Sequence, residues 1–169
     1  LDVDILKRDA RITAKMACLI LNAEQLPVDI AGYINEMERF LTEIDSKLNE
    51  DFDLTPVFSR IEKLKEAAGK LAEASRTVQD NDDIIKKVAG ELTRLTYSYS
   101  SPYYQDSAVA SQPFQLLCKA AGLTRENSYA DYYLFTRNEF VRQRNRLVGQ
   151  IDRLIDDIDY QMLKWQCGK

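Results

Sequence analysis

The chain has 169 residues, of which 45% are hydrophobic and 30% charged, and its net charge is -4. A chain of this length is expected to form one domain with a sizeable core. The acidic balance argues against nucleic-acid binding, because proteins of that class present a basic surface. No apolar run approaches the roughly 18 to 20 residues that span a bilayer, so we expect no membrane insertion by this segment. Nothing in the sequence indicates a compartment.

The absence of histidine restricts the possible chemistry. Imidazole is the usual general base near neutral pH and the commonest zinc ligand, so Ser-His-Asp catalysis, Cys-His catalysis and His-containing zinc sites are excluded. Cys18, Cys118 and Cys167 are far apart and form no CxxC pair, which argues against a disulfide framework or a zinc knuckle. We therefore expect no catalytic residue, metal ligand or cofactor in this chain. An enzyme that uses a pair of carboxylates remains a distant alternative.

Helical spacing of apolar residues runs along most of the chain. It predicts a first helix over about residues 4–24, ended by Pro27, which disfavours helical conformation at the residue before it. The first helix has its apolar residues at Ile5, Ile12, Met16, Leu19 and Ala23. The second helix has them at Ile30, Ile34, Met37, Leu41, Ile44 and Leu48.

A third helix is predicted to begin with Thr55 as its N-cap and Pro56 as its first residue. Its apolar stripe follows strict steps of four and three residues: Val57, Ile61, Leu64, Ala68, Leu71, Ser75 and Val78. Asp82 and Asp83 suit the first turn of a fourth helix, because acidic side chains stabilise a helix N-terminus.

An irregular loop is predicted over about residues 100–113, followed by a short helix near 114–121 that ends at Gly122. The longest helix is predicted over about residues 132–165. Its predicted seam consists of Val141, Arg144, Val148, Ile151, Ile155, Ile158, Met162 and Trp165. No segment has a convincing strand pattern. We therefore predict one all-α domain over residues 1–169, an antiparallel helical bundle of four to five main helices.

Three arginines, Arg142, Arg144 and Arg146, lie within "FVRQRNRLVGQI" (140–151). The same helix continues into "IDRLIDDIDY", whose aspartates would repel a phosphate backbone. A partly buried guanidinium needs a partner and binds carboxylates or carbonyls with its fork of donors. We interpret the cluster as a clamp to an acidic neighbour, inside the domain or across an interface.

Tyrosines form a second candidate group. Tyr97, Tyr99, Tyr103 and Tyr104 lie in and before the predicted loop, and Tyr129, Tyr132 and Tyr133 precede the last helix. Tyrosine is enriched in interfaces because its ring is apolar and its hydroxyl polar. The alternative is that these rings cover the ends of the bundle, and both interpretations stay open.

Three stretches resemble one known family. "RDARITAKMACLILNAEQLPVDIAGY" (8–33) resembles the start of the transferrin-receptor-like dimerisation domain, with its turn at Leu26, Pro27, Val28, Asp29 and Tyr33. "LTRLTYSYSSPYYQDSAVASQPFQLL" (92–117) and "FVRQRNRLVGQI" are similar to later segments of that domain, although Ser107 stands where bacterial members usually have proline. The resemblance covers nearly the whole chain, and the segments keep their order.

This domain ends the zinc peptidases related to glutamate carboxypeptidase II, and the transferrin receptor itself. The resemblance implies a non-catalytic module whose zinc ligands and general base lie in a preceding α/β peptidase domain, absent from this chain. It implies as partners that upstream domain and a second copy of the parent subunit. The parent would be a zinc-dependent amino- or carboxypeptidase; glutamate specificity is not implied, because the substrate-sensing tyrosine loop has no clear counterpart.

The leading hypothesis is therefore a dimerisation and interdomain-packing module, with Tyr97, Tyr99, Tyr103, Tyr104 and the arginine cluster as its candidate contacts. The alternative is a free-standing helical bundle that binds a small ligand or a partner helix. A module separated from its partners should expose an apolar patch larger than monomers usually present.

Overall fold

The structure, a computed structural model, describes residues 2–23, 26–76, 82–97 and 112–167. All regular secondary structure in these ranges is helical. The helices are α1 (Val3–Leu21), α2 (Ile30–Asp45), α3 (Thr55–Ser75), α4 (Asp82–Tyr97), α5 (Gln115–Cys118) and α6 (Ala130–Cys167). The predicted all-α bundle is confirmed. Most of the predicted irregular loop, and Val78 of the third stripe, lie outside the described residues.

Short polar side chains set several helix boundaries. The Asp2 carboxylate accepts the backbone N–H of Asp4 at 2.9 Å, and Asp29 accepts that of Gly32 at 2.8 Å. The prediction that Thr55 caps α3 is wrong by position, because Thr55 is already helical and Leu54 precedes it without a side-chain cap. Asp53 instead accepts the Thr55 N–H at 2.8 Å. The negative charge of Asp53 near the N-terminus of α3 also interacts favourably with the helix dipole and stabilises the helix.

Four helices form a ring in which each packs against two neighbours: α3 against α2 and α6, and α4 against α2 and α6. The most extensive of these contacts is that between α3 and α6. The predicted stripes of α2 and α3 face the centre of this ring. The completely or almost completely buried side chains include Ile34, Leu41, Ile61, Leu64, Leu92, Phe140 and Leu147. Burial of these apolar surfaces is the main stabilising contribution to the bundle.

Ion pairs connect the outer edges of the ring. Arg60 on α3 lies 2.7 Å from Asp152 on α6, and Lys87 on α4 lies 2.8 Å from Asp157 on α6. Two aspartates of "IDRLIDDIDY" are therefore ion-pair partners of neighbouring helices.

The predicted seam of α6 is confirmed in part. The buried residues of α6 are Tyr133, Thr136, Phe140, Gln143, Leu147, Ile151, Leu154 and Ile158, so the predicted seam shares only Ile151 and Ile158 with them. Four further seam residues, Val148, Ile155, Met162 and Trp165, are partly buried and pack against the core. The most buried residues repeat through Phe140, Leu147 and Leu154, and the predicted stripe runs one residue after them at Val141, Val148 and Ile155.

The short helix α5 is briefer than predicted and is followed by a glycine in the left-handed region. Gly122 has a φ of 72°, which non-glycine residues rarely adopt. Its backbone N–H donates to the carbonyl of Lys47 at 2.8 Å. This contact ties the segment between α5 and α6 to the end of α2.

The first helix is present as predicted, but it lies outside the bundle. None of its residues is buried, although its apolar positions follow a helical stripe. The predicted stripe residues Ile12, Met16 and Leu19 are 51%, 57% and 72% exposed. Local bonds support the helix ends, including the Asn22 side-chain amide, which donates to the Cys18 carbonyl at 2.7 Å.

The aromatic cluster around Phe140 gives a stability prediction. Phe140 is fully buried, and its ring lies edge-on to Phe52 with 5.1 Å between ring centroids. We expect Phe140→Ala to lower the free energy of unfolding by about 3–5 kcal/mol, because it leaves a cavity in the core beside Phe52. Phe135, on the same helix and 61% exposed, is the matched control. Phe135→Ala should cost less than about 0.5 kcal/mol in urea unfolding at low micromolar protein; equal losses in both variants would contradict this packing.

Candidate interaction surface

The three clustered arginines lie in different surroundings. Arg142 is exposed, whereas Arg144 and Arg146 are half-buried at the edges of the core face. Arg144 Nη1 donates to the carbonyl of Asp53 at 3.3 Å and lies 3.8 Å from the Asp53 carboxylate. Its Nε and Nη2 donate to Asn145 at 3.3 and 3.2 Å. Arg144 thus fastens α6 to the segment before α3, inside the domain.

The carboxylate near Arg144 is the one that caps α3. Hydrogen bonds from Thr55 and, to a lesser extent, the charge of Arg144 hold the pKa of Asp53 below its ordinary value. A carboxylate whose charged form is favoured in this way stays ionised at neutral pH. The segment between α2 and α3 is therefore held to both α3 and α6 through one aspartate.

Among the described tyrosines, some are exposed, as interface contacts would be, and one covers an end of the bundle. Tyr97, the last residue of α4, is 44% exposed, and Tyr129 and Tyr132 are 89% and 51% exposed. Tyr133 is buried and covers an end of the bundle, with its ring edge-on to Phe52. The other three candidates, Tyr99, Tyr103 and Tyr104, lie outside the described residues.

A polar network around Asp51 joins the α2–α3 connection to the start of α6. The Tyr133 hydroxyl donates to Asp51 Oδ2 at 2.7 Å, and Arg125 donates to the same oxygen at 2.9 and 3.0 Å. The Tyr133 hydroxyl, and after it Arg125, hold the pKa of Asp51 below its ordinary value. Sequence reasoning missed Asp51 and Arg125, which are separated by 74 residues and belong to no local pattern.

The exposed surface of α1 combines a wide apolar arc with a basic stripe. Lys7, Arg11 and Lys15 follow one another at four-residue intervals and so share one face. With Arg8, and against Asp4 and Asp9, they give α1 a charge of +2. Since the whole chain has a charge of -4, the residues outside α1 together have -6. The helix is a basic amphipathic element attached to an acidic body.

A groove of about 440 Å³ lies between α2 and α5 and is lined by residues that include Phe40, Ile44, Lys47 and Cys118. Burial raises the pKa of the Cys118 thiol, which disfavours the reactive thiolate. The described residues contain no group of three or more acidic or cysteine side chains placed to hold a metal ion. Across the same ranges, no helix has the length and apolarity required to cross a bilayer.

Comparison with known proteins gives no match: no family model, no curated protein and no solved structure is similar to this chain.

The contact between Arg144 and Asp53 gives a second stability prediction. We expect Arg144→Ala to lower the free energy of unfolding by about 1–2 kcal/mol, because it removes a charge-assisted bond from a guanidinium that is only 22% exposed. The exposed Arg142 is the control. Arg142→Ala should change the free energy of unfolding by less than about 0.5 kcal/mol at low micromolar protein. Urea unfolding measures both; an unchanged midpoint for Arg144→Ala would reject the clamp.

The network at Asp51 predicts a pH dependence of stability. Because its pKa is lower in the folded chain, Asp51 stabilises the fold fully above its unfolded pKa of about 3.9, and this contribution is lost as pH falls through the folded pKa. We therefore expect wild type to exceed Asp51→Asn in unfolding free energy by a constant amount from pH 7 to about 5. The two should converge below about pH 4.

The donor to Asp51 offers a matched pair of variants for this test. Tyr133→Phe removes the hydroxyl that donates to Asp51 and should weaken the pH dependence, whereas Tyr132→Phe alters an exposed ring and should leave it unchanged. Identical pH profiles for the two tyrosine variants would contradict the assignment.

Proposed function

We propose that this chain is a non-catalytic dimerisation and interdomain-packing module of a zinc-dependent exopeptidase-like protein. The observation that carries the proposal is α1, a 19-residue amphipathic helix with no buried residue. Its exposed large apolar side chains are Val3, Ile5, Leu6, Ile12, Met16, Leu19, Ile20 and Leu21. Such a face supplies the exposed apolar patch expected of a module separated from its partners.

The energetics of α1 favour a packed state. An isolated helix of this length is marginal in water, since most helical stability in proteins comes from packing an apolar face. Burying one large aliphatic side chain contributes about 1.5–3 kcal/mol, and α1 offers several on one side. Because the bundle leaves this face uncovered, we assign it to a folded unit outside the described residues.

The identity of that unit comes from the family resemblance. The stretch that resembles the start of the transferrin-receptor-like dimerisation domain, residues 8–33, includes most of α1. In that family the helical domain follows an α/β peptidase domain, which supplies the two zinc ions, their ligands and the general base. We propose that α1 packs against such a domain, and that the parent is a zinc-dependent amino- or carboxypeptidase. The chain itself would supply no metal ligand.

A free-standing bundle that binds a small ligand is the second candidate, and one observation favours it. The groove of about 440 Å³ between α2 and α5 has the size of a small-molecule site. Its lining combines apolar Phe40 and Ile44 with the charged Lys47 and Glu43. A start codon immediately before Leu1 in the open reading frame would favour this candidate.

Hydrogen–deuterium exchange tests the packing of α1. We expect the coding sequence upstream of Leu1 to encode an α/β domain with zinc-ligand residues. In the longer chain, the amides of α1 should exchange far more slowly than in the 169-residue chain, because they would lie beneath the upstream domain. Core amides of α3 near Leu64 should be protected in both and serve as the internal reference.

Two substitutions in α1 sharpen this test. In the longer chain, Ile12→Glu places a charge on the apolar face and should restore fast exchange, whereas Lys15→Gln on the basic stripe should leave protection unchanged. Fast exchange of α1 in the unsubstituted longer chain would overturn the packing proposal. So would an upstream sequence without an α/β domain.

A further inference from the structure

The outward side of α6 carries a stripe whose spacing is symmetrical about Gly149. From Gly149 toward the N-terminus, steps of four, three, four and three residues reach Asn145, Arg142, Asn138 and Phe135. All four side chains are exposed, and Phe135 is a large apolar ring at the end of the series. Alternating steps of this kind keep residues on one side of a helix.

The same steps repeat toward the C-terminus. They reach Arg153, Asp156, Tyr160 and Leu163, which are also exposed. Tyr160 and Leu163 are 60% and 58% exposed, so an apolar end again completes the series. The stripe is thus apolar at both ends and polar between them, over about 42 Å of helix.

We infer that this stripe is a two-fold interface at which α6 packs antiparallel against α6 of a second copy, with Gly149 on the axis. This inference rests on the proposed dimerisation function and deepens it. Antiparallel pairing about Gly149 places Phe135 of one copy against Leu163 of the other. A two-fold axis makes every such contact occur twice.

The charges of the stripe select this partner and this direction. Antiparallel pairing places Arg142 against Asp156, so each dimer gains two ion pairs, and it places Asn145 against Arg153. A parallel arrangement would instead bring Arg142 against Arg142 and Asp156 against Asp156. Like charges in contact across an interface are strongly unfavourable. The stripe is complementary to its own reverse, which is what an isologous dimer requires.

Gly149 fits the axis of such a dimer. Glycine is a poor helix former, yet Gly149 lies in the middle of a 38-residue helix. A Cβ at this position would meet no atom within 4 Å, so the fold of one copy does not require glycine there. Two helices can approach closely where neither has a side chain. A Cβ at Gly90 in α4 would likewise meet no atom within 4 Å. Gly149 differs from Gly90 because it lies at the centre of the stripe.

Sedimentation equilibrium of the full 169-residue chain tests the interface. We expect a monomer–dimer equilibrium that Gly149→Leu weakens by about a hundredfold, because two leucines would meet on the axis. Leucine favours the helix, so the variant should melt no lower than wild type when both are monomeric. Gly90→Leu is the matched control and should leave the dissociation constant unchanged.

A charge exchange tests the direction of pairing. Arg142→Asp and Asp156→Arg should each weaken the dimer by about tenfold or more, and the double variant should recover wild-type affinity to within about threefold. A dimer that ignores Gly149→Leu, or a double variant without recovery, overturns this interface and leaves the proposed dimerisation standing. A chain that stays monomeric at several hundred micromolar overturns both, while the exchange of α1 still tests interdomain packing separately.

Discussion

The packing of α3 against α6 is the contact on which the rest of the structure depends. Each of these two helices also packs against one of α2 and α4, so their shared face is the more extensive of the two contacts that join α2 and α3 to α4 and α6. Phe140 and Leu147 on α6, like Ile61 and Leu64 on α3, are almost completely buried. The polar clamps lie at the edges of that face, where Arg144 and Arg60 connect the same two regions. The side of α6 opposite its buried residues is exposed to solvent.

The sequence predicts α2 and α3 well because their buried residues follow uninterrupted steps of four and three along each helix. For α6 it places part of the seam one residue after the most buried positions, because apolar residues occur in adjacent pairs, such as Phe140 with Val141 and Leu147 with Val148. Both members of each pair fit a helical repeat, so spacing alone cannot decide which one faces the core. The choice depends on the helices that α6 meets, and that information lies in other parts of the chain.

For the polar contacts, the sequence predicts that a partner is needed but does not identify the partner. A half-buried guanidinium needs an acceptor, and this requirement predicted an acidic neighbour for the arginine cluster. It could not identify Asp53, which lies 91 residues from Arg144, or show that Arg142 of the same cluster is exposed. The bond between Tyr133 and Asp51 is equally distant in sequence. Such partners are fixed by the ring of helices, and no local motif encodes them.

The two exposed surfaces differ in a way that suits different partners. The stripe of α6 is complementary to its own reverse, so it fits a two-fold contact between identical chains. The exposed apolar arc of α1 lies beside a basic stripe, and the helix has a net charge of +2. An apolar arc flanked by a basic stripe fits a different folded unit that presents an apolar surface with acidic groups beside it. The proposed upstream domain and the second copy would therefore occupy separate surfaces of one small bundle.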